Sequence, residues 1–460
     1  MAGPVSASAA QRTVVMHSQP FRMGPFETQK PKVIVRAPRS NGYITRMFAR
    51  VVDGRGRPVS IRSVMLHHVV FINRGRFAGD RKSHCGVRFG EPFYGTGEER
   101  QSLRLPAGYG YRIRTGDKWK MQSMLMSHQN RSQSVRVEYR MRIVTAGRLA
   151  AVTPYWVRVT NCRNAPSYTI PGGGAPGSIH RRTNSWTVPQ DGRIVAGGAH
   201  LHGGSHDLEL TQPSCGGRRL FHSVPSYAPP DDVVYDVRPA LHEPGPFNTG
   251  WFLSSRGIPV HRGESLSLTA FYDAEHPHPG VMGVMHVYIA RPRARAAKCA
   301  ALPTDARVLR IAGPKRDKPP HVWVPLTTLN ARGQPITLAQ PPGRVFHYAD
   351  PDARPIVNVS GVFSKPILSI ALGTAVTWRF TDVRLHKVST ANGPRAFGSA
   401  TLSAGRQYTR RFNVPGTYQL FCYLHPITMH EEVVVRPTGV AAASSHRDAT
   451  GNAGVEHDFY

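Results

Sequence analysis

Short runs of alternating apolar and polar residues recur along the chain, and turn-forming residues separate them. Examples are PKVIVRA, SVRVEYRMRIV, SLSLTAFYD and TAVTWRF. Successive side chains of a strand point to opposite faces, so a period of two predicts strands with one buried face. Long stretches with the 3.6-residue period of amphipathic helices are absent from the sequence. The pattern therefore predicts an all-β protein built of sandwiches or barrels.

Changes of composition along the chain predict its division into blocks. The Pro/Gly/Ser-rich stretch NCRNAPSYTIPGGGAPGS predicts a boundary between two β-rich blocks. The basic stretch ARPRARAAKCAALPTDARVLRIAGPKRDKPP predicts a linker before a third block. The predicted parts are an extended tail at 1–30, a first β-sandwich at 31–160, a second at 161–300, a linker at 301–355, a third sandwich at 356–437 and a disordered tail at 438–460.

The charge is strongly basic, with a formal net charge of +31. Such a surface attracts anions, and we expect it to favour an anionic cell envelope. No nucleic-acid-binding motif accompanies the charge, so no specific nucleic acid is expected as a partner. The first residues, MAGPVSASAAQ, resemble the small-residue cleavage zone of a secretion signal without its basic and apolar parts. We therefore expect a secreted or envelope-associated protein whose signal peptide is missing from the start of this sequence.

Cysteine usage fits an oxidising compartment. Setting Cys422 aside as a candidate ligand leaves four cysteines, Cys85, Cys162, Cys215 and Cys299, which predict two disulfides. Four cysteines allow three pairings. We favour a bridge between Cys162 and Cys299, because these two residues flank the second block.

The stretch FCYLHPITMH carries the clearest candidate chemistry. It places Cys422, His425 and Met429 in one short loop between two predicted strands, and His386 precedes an earlier strand. One thiolate, two imidazoles and a thioether are the ligands of trigonal copper sites with a weak axial methionine. The thiolate disfavours the hard cations Mg²⁺ and Ca²⁺, and the thioether disfavours Zn²⁺, which prefers a fourth His, Cys or carboxylate ligand.

The surrounding sequence, VPGTYQLFCYLHPITM, resembles the cupredoxins, the blue copper family of plastocyanin-like and amicyanin-like electron carriers. The resemblance covers roughly 356–437. It implies a Greek-key β-sandwich that binds type 1 copper through His386, Cys422, His425 and Met429. It also implies electron transfer with an external electron donor.

Further histidines stand at suggestive spacings upstream. Because residues i and i+2 of a strand face the same side, the H-x-H of AHLHGG can present two imidazoles to one ion. Adjacent histidines, as in LHHVVF, reach one ion only at a strand end or a bulge. The candidates are His67, His68, His128, His200, His202 and a methionine of VMGVMHVYIA, either Met282 or Met285.

In their order these motifs resemble the copper type II, ascorbate-dependent monooxygenases, the peptidylglycine α-hydroxylating and dopamine β-monooxygenase group. The resemblance implies two tandem β-sandwiches with one copper each, and hydroxylation of a C–H bond by O₂ at the second copper. Gly198 stands where the peptidylglycine enzymes have a carboxylate-binding arginine, so a peptide substrate is not expected. The implied ligands are His67, His68 and His128 for the first copper, and the catalytic His200, His202 and Met282 for the second.

Together these features lead to two main hypotheses. The first is a copper-dependent oxidoreductase, a monooxygenase-like enzyme that hydroxylates an unknown organic substrate with O₂. Electrons would reach its two upstream coppers through the fused type 1 copper domain. The alternative is a non-catalytic copper-binding protein of the cell envelope, which transfers electrons or stores copper. A third hypothesis, an adhesin-like envelope protein, rests only on the β-architecture and the charge.

Overall fold

A computed structural model describes residues 11–76, 90–145, 147–161, 165–292, 296–310 and 319–437. Within these ranges the regular structure is almost entirely β, and its helical elements are two short 3₁₀ helices at Pro213–Cys215 and Val233–Asp236. No helix of the described chain has the length and apolar character that a membrane crossing needs.

The first half of the chain forms sixteen strands. Their bounds are β1 Gln11–His17, β2 Phe21–Met23, β3 Thr28–Gln29, β4 Lys32–Val35, β5 Gly42–Val52, β6 Val64–Asn73, β7 Glu91–Gly97, β8 Leu103–Arg104, β9 Tyr109–Ile113, β10 Trp119–Ser127, β11 Gln133–Val144, β12 Ala150–Arg158, β13 Ser167–Ile170, β14 Ile179–Thr187, β15 Gly192–Leu201 and β16 Ser205–Gln212.

Fifteen further strands follow. Their bounds are β17 Arg218–Ser223, β18 Trp251–Val260, β19 Ser265–Asp273, β20 His278–Ala290, β21 Arg307–Leu309, β22 Thr327–Leu329, β23 Pro335–Thr337, β24 Val345–Tyr348, β25 Ile356–Val359, β26 Ile367–Ala371, β27 Ala375–Phe380, β28 Ser389–Asn392, β29 Gln407–Arg411, β30 Gly416–Phe421 and β31 His430–Arg436.

Three layered units result. In the first, β1, β11 and β5 lie opposite the sheet of β3, β4, β10, β6 and β7, around an aromatic core that includes Trp119, Tyr139 and Phe93. In the second, β12, β20, β15 and β18 lie opposite β14, β19, β16 and β17. The third unit packs the sheet β24-β26-β31-β30-β28 on the sheet β25-β27-β29 around Trp378. The prediction of an all-β sandwich architecture is confirmed.

The period of two in the sequence explains the packing of individual strands. In β19, SLSLTAFYD, the alternate residues Leu266, Leu268, Ala270 and Tyr272 are fully buried, and the residues between them are more exposed. An alternation of this kind fixes which face of the strand joins the core, because a slip by one residue would reverse every side chain.

One sheet continues through the first two units. β9 pairs with β12 in parallel, and β12 pairs with β20, so the path β1-β11-β5-β9-β12-β20-β15-β18-β21 crosses the position of the predicted boundary at 160/161. Residues of β15, β18 and β20 also join the core of the first unit. The two sandwiches are therefore in close contact, although the predicted limits of the domains stay a prediction.

Two segments predicted to lack strands contribute to the sheets. Residues 11–29, within the predicted tail, supply β1 to β3, which pair with β11 and β10. The predicted linker supplies β21, which pairs with β18, and β24, which pairs with β26 of the third unit. Both segments form backbone hydrogen bonds with neighbouring strands, which the weak alternation of apolar and polar residues in their sequences did not indicate.

The expected bridge between Cys162 and Cys299 is wrong. Cys299 instead forms a disulfide with Cys215, which follows β16 in a 3₁₀ turn. Arg218 supports this contact by donating hydrogen bonds to the carbonyls of Cys299 and Ala300. Sequence position could not show that the turn after β16 lies beside the segment after β20. Cys85 and Cys162 lie outside the described residues.

Candidate metal centres

The C-terminal candidates meet at one end of the third sandwich. Cys422 directly follows β30, and His425 and Met429 lie in the loop before β31. His386 precedes β28 and forms an isolated bridge with Leu402. Strand ends at the same edge therefore bring these four residues from two distant parts of the chain to one end of the sandwich.

Their ligand atoms converge. The Cys422 Sγ and His425 Nδ1 atoms are 3.6 Å apart, and the rings of His386 and His425 have centroids 4.8 Å apart. One ligand atom from each of His386, Cys422 and His425 lies within 4.8 Å of the others. The His386 Nδ1 atom is buried and has no hydrogen-bond partner. Met429 is fully buried in the same core cluster as Cys422.

Hydrogen bonds hold the loop in this shape. The backbone N–H of Cys422 donates to the carbonyl of Met429 at 3.1 Å, and the Met429 N–H donates to the carbonyl of His425 at 3.1 Å. The Lys387 N–H points at the Cys422 Sγ atom at 3.3 Å. Burial raises the pKa of the Cys422 thiol, and a bound cation would reverse this effect by stabilising the thiolate.

This donor set fits copper. Two imidazole nitrogens, a buried thiol and a buried thioether suit a soft, redox-active ion, and the unpartnered nitrogen of His386 leaves room for such a bond. The other nitrogen of His386, Nε2, lies 2.7 Å from the Asp382 carboxylate. A carboxylate in this position fixes the tautomer and the orientation of a metal-binding imidazole.

The adjacent histidines upstream stand at a β-bulge. The register between β6 and β10 pairs Met124 with His68 and Leu125 with Leu66, so His67 is the extra residue. As a result the two side chains turn to the same side, and their Nδ1 atoms are 2.9 Å apart. The structure thus provides the local irregularity that an H-H pair needs to reach one ion.

The H-x-H pair lies at the end of β15. The Nε2 atoms of His200 and His202 are 3.2 Å apart, and the His200 Nδ1 atom lies 3.1 Å from the Glu99 carboxylate. Burial by itself lowers the pKa of His200, but the charge and hydrogen bond of Glu99 outweigh it and raise that pKa. The carboxylate thereby leaves Nε2 of His200 as the free ligand atom.

The two histidine pairs lie side by side, in contact across the two sandwiches. The ring centroids of His67 and His202 are 5.3 Å apart. Burial, and after it the charge of neighbouring groups such as His200, lowers the pKa of His68 to about 3. The resemblance implied one copper in each sandwich, and the structure brings both pairs to the contact between them.

The remaining upstream candidates take different positions. Met282 lines a cavity of about 150 Å³ together with His68, His200 and His286. Met285, the alternative, is fully buried in the core of the second sandwich, which favours Met282 as a ligand. His128 is buried close to His242, but it does not join His67 and His68 in a group whose ligand atoms lie within 4.8 Å of one another.

Comparisons with known proteins cover parts of the chain. The model of the family "Stress up-regulated Nod 19" matches residues 157–292. Amicyanin-alpha from Methylorubrum extorquens is 37% identical over 76 residues, which is 16% of this chain and 63% of that protein. The match thus spans less than two thirds of the curated relative.

Solved structures of amicyanin also match. The amicyanin of Paracoccus versutus is 28% identical and covers 18% of this chain and 81% of its own, with a TM-score of 0.17. A mutant amicyanin in its reduced Cu(I) form at pH 4 is 27% identical and covers 18% of this chain and 84% of its own, also with a TM-score of 0.17.

The similarity to amicyanin-alpha supports a cupredoxin-like domain. The motif places this domain in the third sandwich. The resemblance of the first two sandwiches to copper monooxygenases stays a prediction.

The cupredoxin-like domain is packed against the first sandwich. Phe421 and Tyr423, which flank Cys422 in sequence, are buried in one apolar cluster with Met65, Met124 and Met126 of the first sandwich. Thr28 Oγ1 also donates to the Tyr423 carbonyl at 3.4 Å. The sequence neighbours of the Cys422 site thus contact the sequence neighbours of His67 and His128.

Sequence reasoning missed several charged residues around these centres. Glu98, Glu99 and His242 join the upstream histidines, and Asp382 supports His386. The stretch GTGEER contained both glutamates, but nothing in the sequence indicated their partners. Asp382 stands four residues before His386, and this spacing was the one signal that could have found it.

Proposed function

We propose that this protein is a copper-binding electron-transfer protein of the cupredoxin type, with a second metal centre between its first two sandwiches. The convergence of His386, Cys422 and His425 around buried ligand atoms is the observation that carries the proposal. Met429, buried in the same cluster as Cys422, would be a further ligand. A copper ion bound there would supply reversible one-electron transfer.

The residues of the chain support this role in three ways. The buried Cys422 and Met429 keep water from the site, and the Lys387 N–H stabilises negative charge on the sulfur. His425 is only partly buried, so its ring offers an edge to an external electron donor. The apolar contact of Phe421 and Tyr423 with the first sandwich supports electron exchange with the upstream histidines within one chain.

As a second candidate function, we propose O₂-dependent hydroxylation of an organic substrate at the upstream centre. The cavity lined by His68, His200, His286 and Met282 favours it, because at about 150 Å³ it has room for a small ligand beside three imidazoles and a thioether. In this proposal His200, His202 and Met282 would hold the reactive copper, and His67, His68 and His128 would hold another. Glu99 would orient His200.

An extracytoplasmic location is a further part of the proposal. The Cys215–Cys299 disulfide and the net charge of +31 support it, since disulfides persist in oxidising compartments and a basic surface binds an anionic envelope. Fractionation of cells that express the natural gene tests it: recovery in the cytoplasmic fraction would contradict this location.

Copper stoichiometry with electron paramagnetic resonance tests the proposed function. We expect the copper-loaded protein to be blue, with further, non-blue copper. Cys422→Ala should abolish the blue signal alone, and His200→Ala should weaken the non-blue signal alone. A colourless copper-loaded protein would contradict the cupredoxin proposal.

Oxygen consumption separates the two candidate functions. With an excess of reductant, an enzyme should consume O₂ in the presence of its substrate, and His200→Ala should abolish this uptake without bleaching the blue copper. A blue protein that consumes no O₂ with any candidate substrate would leave electron transfer as the function.

A further inference from the structure

His67 faces different groups with its two ring nitrogens. Its Nδ1 atom lies 2.9 Å from His68 Nδ1, within hydrogen-bond distance. Its Nε2 atom lies 3.6 Å from Glu98 Oε1, and His242 Nε2 approaches the same oxygen at 3.4 Å. His242 comes from the segment between β17 and β18, and its ring centroid is 4.4 Å from that of His67.

The separations in this group are those of ligands around a shared ion. Neither nitrogen forms a hydrogen bond of good geometry with Glu98, in contrast to His200 and Glu99 at 3.1 Å. A tetrahedral ion with bonds of about 2.1 Å holds its ligand atoms about 3.4 Å apart. The two measured separations, 3.4 and 3.6 Å, match that value. One ligand atom from each of His67, Glu98 and His242 lies within 4.8 Å of the others.

Neighbouring groups orient the three side chains toward the same point. His242 Nδ1 donates to the Glu243 carbonyl at 2.7 Å, so the lone pair of His242 is on Nε2. That Nε2 atom is buried and has no hydrogen-bond partner. Glu98 accepts a hydrogen bond from the Gly245 N–H through Oε2 at 2.8 Å, which turns its other oxygen toward the histidines.

We propose that His67, Glu98 and His242 bind a divalent transition-metal ion at a site distinct from the His200, His202 and Met282 ligands. In this assignment His67 serves the new site instead of a copper site shared with His68 and His128. This inference depends on the proposed function in one respect: both place a metal ion among the upstream histidines. His67 binds through Nε2, and its Nδ1–H donates to His68. Two imidazoles and one carboxylate, without sulfur, suit Zn²⁺ or Fe²⁺ better than Cu(I).

Metal analysis of the full chain tests the site. The variants are Glu98→Gln and His242→Ala. Glu27→Gln is the matched control, because it makes the same change from carboxylate to amide in the first sandwich at a residue outside the candidate ligand groups. After loading with Zn²⁺, Fe²⁺ and copper in turn, we expect the wild type and Glu27→Gln to bind one equivalent of Zn²⁺ or Fe²⁺ at the site. Glu98→Gln and His242→Ala should bind it at least tenfold more weakly, with blue absorption unchanged.

Thermal unfolding with a chelator gives a readout that does not depend on activity. A chelator should lower the Tm of the zinc-loaded wild type and of Glu27→Gln, because bound metal stabilises the folded state. It should leave the Tm of Glu98→Gln unchanged. Equal zinc and iron binding in the wild type and both site variants would overturn this inference and leave the cupredoxin proposal intact. A wild type without blue copper would contradict the cupredoxin proposal instead.

Discussion

At the scale of single residues, carboxylates decide how the candidate ligands are presented. Asp382 lies 2.7 Å from the Nε2 atom of His386, and Glu99 lies 3.1 Å from the Nδ1 atom of His200. Each carboxylate holds the proton on one nitrogen and leaves the other free for a metal. The two histidines therefore present opposite nitrogens, Nδ1 in the cupredoxin-like domain and Nε2 upstream.

Removal of the Asp382 carboxylate should weaken copper binding. We expect Asp382→Ala to lower the copper affinity of the blue site by about 10- to 100-fold, because the His386 ring loses its orienting partner. Asp382→Asn keeps a neutral hydrogen-bond acceptor beside His386 and should lose much less copper affinity. Titration of each variant with copper, followed by the blue absorption, measures its affinity. Equal affinities of Asp382→Ala and the wild type would show that the packing around His386 orients it without Asp382.

A buried glutamate far from the candidate ligands gives the fold a pH dependence. Burial raises the pKa of Glu91 from 4.5 to about 7, although it accepts a hydrogen bond from Tyr111 at 2.7 Å. The folded protein keeps this proton up to about pH 7, whereas the unfolded chain releases it near 4.5. The unfolded state thus binds fewer protons between these values, and the free energy of unfolding should fall as the pH rises through this range.

The slope of this fall should be at most about 1.4 kcal/mol per pH unit. Urea unfolding of the metal-free protein at several pH values measures it. Glu91→Gln cannot titrate and should show a smaller slope over the same range. An identical slope in the variant would assign the pH dependence to other groups.

At the scale of elements, a bulge and a glycine shape the upstream centre. The bulge in β6 turns His67 and His68 to one side. Opposite it, Gly97 ends β7 and pairs with His68. A Cβ atom at Gly97 would lie 2.8 Å from the His200 ring, 2.8 Å from the His67 carbonyl and 2.9 Å from the Glu99 carboxylate. The absence of a side chain thus lets the two sandwiches approach.

Gly97→Ala should therefore disturb the upstream centre. We expect it to destabilise the protein by about 1–3 kcal/mol, the usual range for overpacking, and to lower upstream metal content while the blue absorption stays. Thermal unfolding and metal analysis measure the two effects. Gly54→Ala is the control, because a Cβ atom there meets nothing within 4 Å. Normal metal content in Gly97→Ala would mean that the strands can move apart without loss of the ligands.

At the scale of the whole molecule, an apolar contact fixes the cupredoxin-like domain against the first sandwich. Leu326 and Val324, from the predicted linker, are buried with Tyr423 and with Met126 of the first sandwich. Burial of a side chain of this size contributes about 1.5–3 kcal/mol. The linker therefore acts as a part of the interface, which holds the Cys422 end of the cupredoxin-like domain against the first sandwich.

Truncation of Leu326 should loosen this contact. We expect Leu326→Ala to destabilise the docked arrangement by roughly 3 kcal/mol and to slow electron exchange between the blue site and upstream copper. Calorimetry should then show separate unfolding of the cupredoxin-like domain. Rapid reduction followed at the blue absorption measures the exchange. Ile336→Ala is the control, because Ile336 lies in β23, which pairs with the strand β22 that follows Leu326, and its side chain is 43% exposed. An unchanged exchange rate in Leu326→Ala would show that this contact does not limit it.

The sequence by itself determined the all-β class and singled out the candidate ligands of the C-terminal site. Strand alternation acts over a few residues, and Cys422, His425 and Met429 share one short loop, so local spacing carried the information. Only the tertiary structure showed the Cys215–Cys299 bridge, the placement of both histidine pairs at one contact, and the roles of Glu98 and His242. These depend on which strand ends meet across two sandwiches, and sheet pairing between distant segments leaves no local pattern in the chain.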